Sequence, residues 1–254
     1  MGVYKGEMDD SNRIRSANIF FDSITFFDAV EQIKVLSQQK SFSYVVTPNI
    51  DHMERLATAK PEAQCLHSIY RQAALSLCDS RILDKLLRLK SKRVKEVIPG
   101  SSLTAFLFGE VLKEKDKILI VGVEEHYIDR LRDMYPHLDI QHINPSMGFI
   151  NKPDEVTALI ERISEINANY VFFSVGSPRQ EVLANKLALS GSVGGVGLCV
   201  GASVLFIIGA EKRAPVILQK MHLEWVYRIA QNPRRLAIRY FKNFLSLPAI
   251  MKSL

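Results

Sequence analysis

Cysteine is scarce and scattered in this chain. Its 254 residues include three, Cys65, Cys78 and Cys199, and no Cys-x-x-Cys pair. An odd, widely spaced set supports neither a disulfide framework nor a thiolate zinc site, so all three read as small apolar residues in a reducing compartment. No uncharged apolar stretch reaches the length of a membrane span. The longest apolar run, residues 193–210, is rich in glycine and reads as a buried strand plus turn. The first residues carry Asp9 and Asp10 and no apolar core, so no signal peptide is expected there. The six histidines show no ligand spacing. The absence of a Gly-x-Ser-x-Gly elbow and of a Gly-Lys-Ser/Thr phosphate loop disfavours a serine hydrolase and a P-loop ATPase. No Asp-x-Asp pair occurs, so the metal–diphosphate grip of many sugar-nucleotide transferases is missing, and neither a metal nor another cofactor is expected.

What is present is a globular composition, 47% hydrophobic and 24% charged. The net charge of +6 is unevenly placed. From Lys212 onward there are nine Lys or Arg against one acid, Glu224, which leaves residues 1–211 slightly acidic. An anionic partner should therefore meet the C-terminal tail. Short apolar strands are predicted at residues 19–21, 42–46, 74–78, 117–121, 139–142, 170–174 and 196–200. Helical patterns run over 26–36, 51–60, 61–72, 82–89, 103–112, 127–135 and 155–166, and again from 182. Thr25 and Asp28 form a capping box ahead of the first, and Pro153 sits at the first turn of the seventh. This alternation predicts an α/β fold with a mostly parallel, helix-covered, Rossmann-like sheet over residues 19–214. Residues 1–18 form a polar segment, loose or edge-paired, and 215–254 a basic amphipathic helical appendage.

The chain is organised around residues 170–181, Tyr-Val-Phe-Phe-Ser-Val-Gly-Ser-Pro-Arg-Gln-Glu. A buried strand ends at Gly176, Ser177 and Pro178, and a helix opens with Arg179, Gln180 and Glu181. In parallel sheets that edge is where ligands bind, and the amides of a helix start suit phosphate. An ordinary capped β–α turn would look the same. Two other strand ends carry polar residues that could share the crevice: Thr47 with Asn49, and Asp79. A carboxylate there is placed to act as a general base, although Asp79 also precedes a helix and could simply cap it. Gly195, Gly197 and Gly201 resemble a dinucleotide fingerprint, which would make an NAD-dependent oxidoreductase, but close backbone packing explains glycines inside an apolar strand equally well. In the tail, Trp225, Tyr227, Tyr240, Phe241 and Phe244 interleave with Arg228, Arg234, Arg235, Arg239 and Lys242. That pattern suits an anionic membrane surface or a diphosphate, and it carries no nucleic-acid motif. A basic helix packed on the core is the alternative.

The chain resembles the WecG/TagA/CpsF family, glycosyltransferase family 26. The matching segments are Val46-Thr-Pro-Asn-Ile-Asp-His52, Leu77-Cys-Asp79, Val97-Ile-Pro-Gly100-Ser, Ser174-Val-Gly-Ser-Pro-Arg-Gln-Glu181, Val196-Gly-Leu-Cys-Val-Gly201, Lys212-Arg-Ala-Pro215 and Leu223-Glu-Trp-Val-Tyr-Arg228, followed by Pro233-Arg-Arg235. The resemblance implies inverting, metal-independent transfer of a hexose, N-acetylmannosamine-like or other, from a UDP-sugar to a polyprenyl-diphosphate-linked sugar. It implies work on cell-envelope or exported polysaccharide at the inner face of the plasma membrane. On the matching positions Asp79 is the base, and Thr47, Asn49 and Gln180 line the site. Gly176, Ser177 and Gly201 shape the UDP pocket, with Arg179 and Glu181 beside it. Arg228, Arg235 and Arg239 meet the lipid diphosphate. Ser80, Ser102 and Leu205 depart from the family pattern of Gly, Asp and Asp. A non-catalytic, membrane-surface module that binds sugar nucleotides is the second reading, and assembly into a homo-oligomer is left open.

Overall fold

A computed structural model describes residues 12–57, 61–211, 227 and 241–254. The polypeptide opens with an antiparallel hairpin, β1 (Arg13–Ser16) and β2 (Ile19–Asp22), joined by Ala17 and Asn18 in left-handed conformations. Six parallel strands follow: β3 (Ser43–Val46), β4 (Leu75–Ser76), β5 (Lys117–Val121), β6 (Asp139–Ile143), β7 (Tyr170–Phe173) and β8 (Val196–Cys199), in the spatial order β4-β3-β8-β7-β5-β6. Nearly every strand residue is buried, as expected of a sheet covered on both faces.

Alternate strand residues point to opposite layers. Tyr44, Val46, Leu119, Val121, Val171, Phe173 and Cys199 share one core. Helices α2 (Ile50–Leu56), α3 (Pro61–Gln72), α4 (Arg81–Leu89), α7 (Pro153–Ile166) and α8 (Arg179–Ser190) contribute to it. Val45, Ile118, Ile120, Phe172 and Leu198 belong to the other, with α1 (Phe26–Ser37), α5 (Gly100–Phe106), α6 (Glu125–Met134) and α9 (Ser203–Ile207). The fold is thus the expected helix-covered parallel sheet.

Local signals explain most boundaries. Thr25 and Asp28 form the reciprocal cap of α1, and Pro153 occupies the first turn of α7, which ends on Asn167 at φ 47°. Two readings need revision. The helix expected over 103–112 begins at Gly100 and, from Leu107 to Val111, widens into a turn of π-helix. The run 193–210 holds, besides its strand, the short helix α9, which the strand-plus-turn reading does not contain. With Val204 fully buried and Leu205 and Ile207 packed on the core, α9 has no polar face whose period could announce it.

The hairpin meets the C-terminal end of the chain. Helix α10 (Leu247–Ser253) buries Ile250, and its last turn receives the hairpin: Ser16 Oγ donates to the Leu254 carbonyl at 3.0 Å and the Ala17 amide to the Ser253 carbonyl at 3.1 Å. The last residues of the tail therefore pack on the core. Lys212, Arg213, Pro215, Trp225, Arg228, Arg234, Arg235, Arg239 and Tyr240 lie outside the described residues.

Candidate active site

Strand register decides which loops share an edge. Val46 pairs with Ser76 and Cys199, and Cys199 with Phe173. The residues that follow, Thr47–Asn49, Leu77–Asp79, Ser174–Pro178 and Val200–Ala202, therefore emerge side by side at the C-terminal end of a parallel sheet.

Hydrogen bonds and close contacts tie these loops to one another. Asp79 is half-buried. Its amide donates to the Pro48 carbonyl at 3.1 Å, and its Oδ1 accepts from the Gly100 amide at 3.1 Å. The side chain thus caps the start of α5, not of α4, whose cap is the Ser80 hydroxyl. Thr47 abuts the same glycine: a Cβ at Gly100 would lie 3.2 Å from Thr47 Oγ1. That hydroxyl donates to the Cys199 carbonyl at 3.0 Å. Two residues on, the Gly201 amide donates to Gln180 Oε1 at 3.0 Å, and Gln180 Nε2 donates to Glu181 Oε1 at 2.9 Å. Glu181 Oε1 lies 3.7 Å from His52 Nε2, and His52 Nδ1 accepts from the Asn49 amide at 3.0 Å. Because Nδ1 accepts, the ring proton of a neutral His52 sits on Nε2, facing Glu181.

Burial sorts these groups. Glu181 is 1% exposed, its Oε2 has no hydrogen-bond partner, and burial raises its carboxyl pKa above the usual range. Thr47 and Gln180 are buried as well, with their polar atoms spent on the loops they tie together. Asn49 caps α2 by accepting from the Asp51 amide at 3.0 Å. Asp79, Asn49, Gly176, Ser177, Arg179 and Gly201 are half-buried at the rim.

Around the 176–178 corner, Gly176 takes φ 77° and Arg179 Nη2 would lie 3.3 Å from a Cβ placed on it. Arg55 Nη1 donates to Ser177 Oγ at 3.2 Å and is braced by Asp51. Two guanidinium groups therefore flank the turn. His52, Arg55 and Gly100 had no assigned role from the sequence. Their signal was Asn49-x-x-His52-x-x-Arg55, one helix face just past a strand end. Arg228, Arg235 and Arg239 lie outside the described residues.

The glycines of β8 have packing duties. A Cβ at Gly197 would come within 2.6 Å of Phe42 and 2.7 Å of Phe173, and one at Gly195 within 2.7 Å of two carbonyl oxygens. This is the close packing weighed against a dinucleotide loop. A recess of about 640 Å³ lies at the opposite sheet edge, between residues 37–40, 164–169 and 191–195, away from Thr47, Asn49, Asp79 and the 176–181 corner.

The sequence model of the glycosyl transferase WecG/TagA/CpsF family matches residues 14–254, nearly the whole chain and every loop just described. The chain belongs to that family. Among curated relatives, the N-acetylglucosaminyldiphosphoundecaprenol N-acetyl-beta-D-mannosaminyltransferase of Staphylococcus aureus strain MW2 is 24% identical over 238 residues, covering 91% of this chain and 89% of its own length. The enzyme of the same name from strain MRSA252 is 25% identical over the same span. As a WecG/TagA/CpsF glycosyltransferase, the protein gives its departures from the family pattern a local setting. Ser80 caps α4 through its hydroxyl, Ser102 sits in the first turn of α5, and Leu205 lies on α9 against the core.

Proposed function

We propose that this family member transfers a hexosyl group from a UDP-sugar to a polyprenyl-diphosphate-linked sugar, with inversion and without an essential metal. The curated relatives, named for adding N-acetylmannosamine to an undecaprenol-diphosphate sugar, make that hexose the first donor to try. The observation that carries the reading is the half-buried Asp79 carboxylate standing on the same strand-end edge as the 176–181 corner, with hydrogen bonds tying the neighbouring loops. In the proposed reaction Asp79 accepts the proton of the acceptor hydroxyl. That oxygen forms a bond to the anomeric carbon from the face opposite UDP, and the bond to UDP breaks with its electron pair leaving on the diphosphate. The charge that develops there is met by Arg55, Arg179 and the amides near Gly176 and Gly201. Thr47, Asn49, Gln180 and Glu181 hold the loops, and through them the sugars, in register. Arg228, Arg235 and Arg239 serve the acceptor diphosphate, and the tail holds the enzyme on the cytoplasmic face of the membrane. No helix among the described residues is long and apolar enough to cross it.

Asp79→Asn tests the assignment, because asparagine keeps an oxygen for the Gly100 amide and so spares the fold. UDP release with a short prenyl-diphosphate-sugar acceptor should fall by about a thousandfold or more, with an unchanged melting temperature. An unaltered rate would remove Asp79 from the chemistry. The second reading, a non-catalytic sugar-nucleotide-binding module, draws on the departures at Ser80, Ser102 and Leu205. Turnover of any UDP-sugar by the wild-type protein excludes it.

A further inference from the structure

Charge on the body of the protein is concentrated at one place. Residues 81–97 carry seven Lys or Arg against two acids, so the rest of residues 1–211 is distinctly acidic. The acids in this segment are already engaged. Asp84 pairs with Arg88 at 2.8 Å, and Glu96 accepts from the Phe26 amide at 2.7 Å at the start of α1. Among the described residues Lys85, Lys90, Arg93 and Lys95 make no ion pair. All four are exposed.

The outward face of α4 also carries aliphatic side chains among its cations. Leu83, Asp84 and Leu87 point inward, which turns Lys85, Ile82 and Leu89 to solvent. Ile82 is 39% exposed and Leu89 73%. Beside them a shallow recess of about 480 Å³ is lined by Arg81, Lys85, Arg88 and Lys95, with Asp84 and Glu96. Aliphatic tips standing among unpaired cations, with the inner face locked in the core, match a helix lying in a lipid interface. Nucleic acid would meet the cations but offers nothing to exposed aliphatic tips. The loop also adjoins the end of the tail, since Lys92 Nζ donates to the Leu254 carbonyl.

We propose that the outward face of α4 and the loop to Lys95 form a contact with the anionic bilayer, on the body of the enzyme and separate from the tail. It rests on the membrane-surface part of the proposed function and extends it. α4 begins two residues after Asp79, so this contact fixes how far the crevice stands from the lipid headgroups.

The experiment measures partition of the full chain onto vesicles of phosphatidylcholine alone and of phosphatidylcholine with phosphatidylglycerol. The variant Lys85→Glu/Leu89→Ser/Lys90→Glu is compared with Lys113→Glu/Lys115→Glu, an equal charge change on an exposed turn elsewhere. All five side chains are exposed, and an unchanged melting temperature verifies folding. The first variant should lose about tenfold or more of its partition onto the anionic vesicles, and the second less than about twofold. Equal losses, or none, overturn the proposal. So does an α4 variant that loses binding to an RNA oligomer while its vesicle partition stands. Sugar transfer does not enter this measurement: a protein that partitions through α4 yet turns over no UDP-sugar would sink the enzymatic reading and leave this one intact.

Discussion

Glu181 and Asp79 are two carboxyls at one strand-end edge with opposite surroundings. Asp79 is half-buried and bonded to an amide at the rim, whereas Glu181 is sealed beneath the corner beside His52. Burial raises the folded-state pKa of Glu181 above its unfolded value, so the folded protein holds this proton more tightly. The associated stability is complete below the ordinary glutamate range and is lost as pH rises through the raised folded value. Glu181→Gln removes that titration while keeping an oxygen for Gln180 Nε2. In urea melts the variant should gain on wild type as pH goes from acid to neutral, and parallel curves would show that folding does not raise the Glu181 pKa. Gln180→Ala takes the acceptor from the Gly201 amide, leaving it the longer bond to the Phe173 carbonyl at 3.3 Å. A cost of about 1–2 kcal/mol in urea unfolding is expected, with a higher KM for the UDP-sugar. The sequence grouped Gln180 and Glu181 with Ser177 and Arg179 as one polar corner. It could not separate the layers, because adjacent residues at a helix start look alike until neighbouring loops close over some of them.

Among the elements, β8 carries the sharpest constraint. Gly197 leaves room for the rings of Phe42 and Phe173, so Gly197→Ala should cost about 1–3 kcal/mol in chemical denaturation. A thermal shift with NAD should be absent in wild type, since the glycine pattern is accounted for by ring packing. Strands and most helices were legible because their periods are local. The edge strand β4 shrinks to two regular residues although 74–78 reads as a strand, since the chain keeps pace with β3 only through single bonds, Ala74 to Tyr44, Leu77 to Val46 and Asp79 to Pro48. Those bonds are what carry Asp79 to the crevice. Helix α9 stayed hidden because it is apolar on every side, and a helix without a polar face has no period to detect.

For the molecule as a whole, the tail is both basic and structural. Its last helix buries Ile250 fully and Leu254 nearly so, against the hairpin and α2. Removing residues 247–254 should therefore lower stability by roughly 2–4 kcal/mol, read from thermal unfolding, before any effect on membranes is measured. Charge substitutions that leave α10 in place are the cleaner probe of membrane binding. The sequence alone settled the alternation of strand and helix, the uneven charge and the family-like segments, since these depend on residues close together along the chain. It also placed Asp79, Thr47, Asn49 and residues 176–181 at strand ends. Their union at one edge was decided by the strand order β4-β3-β8-β7, which sets loops from distant parts of the chain side by side. That order follows from how two apolar layers close over a single sheet, a long-range packing outcome that no local pattern of residues encodes.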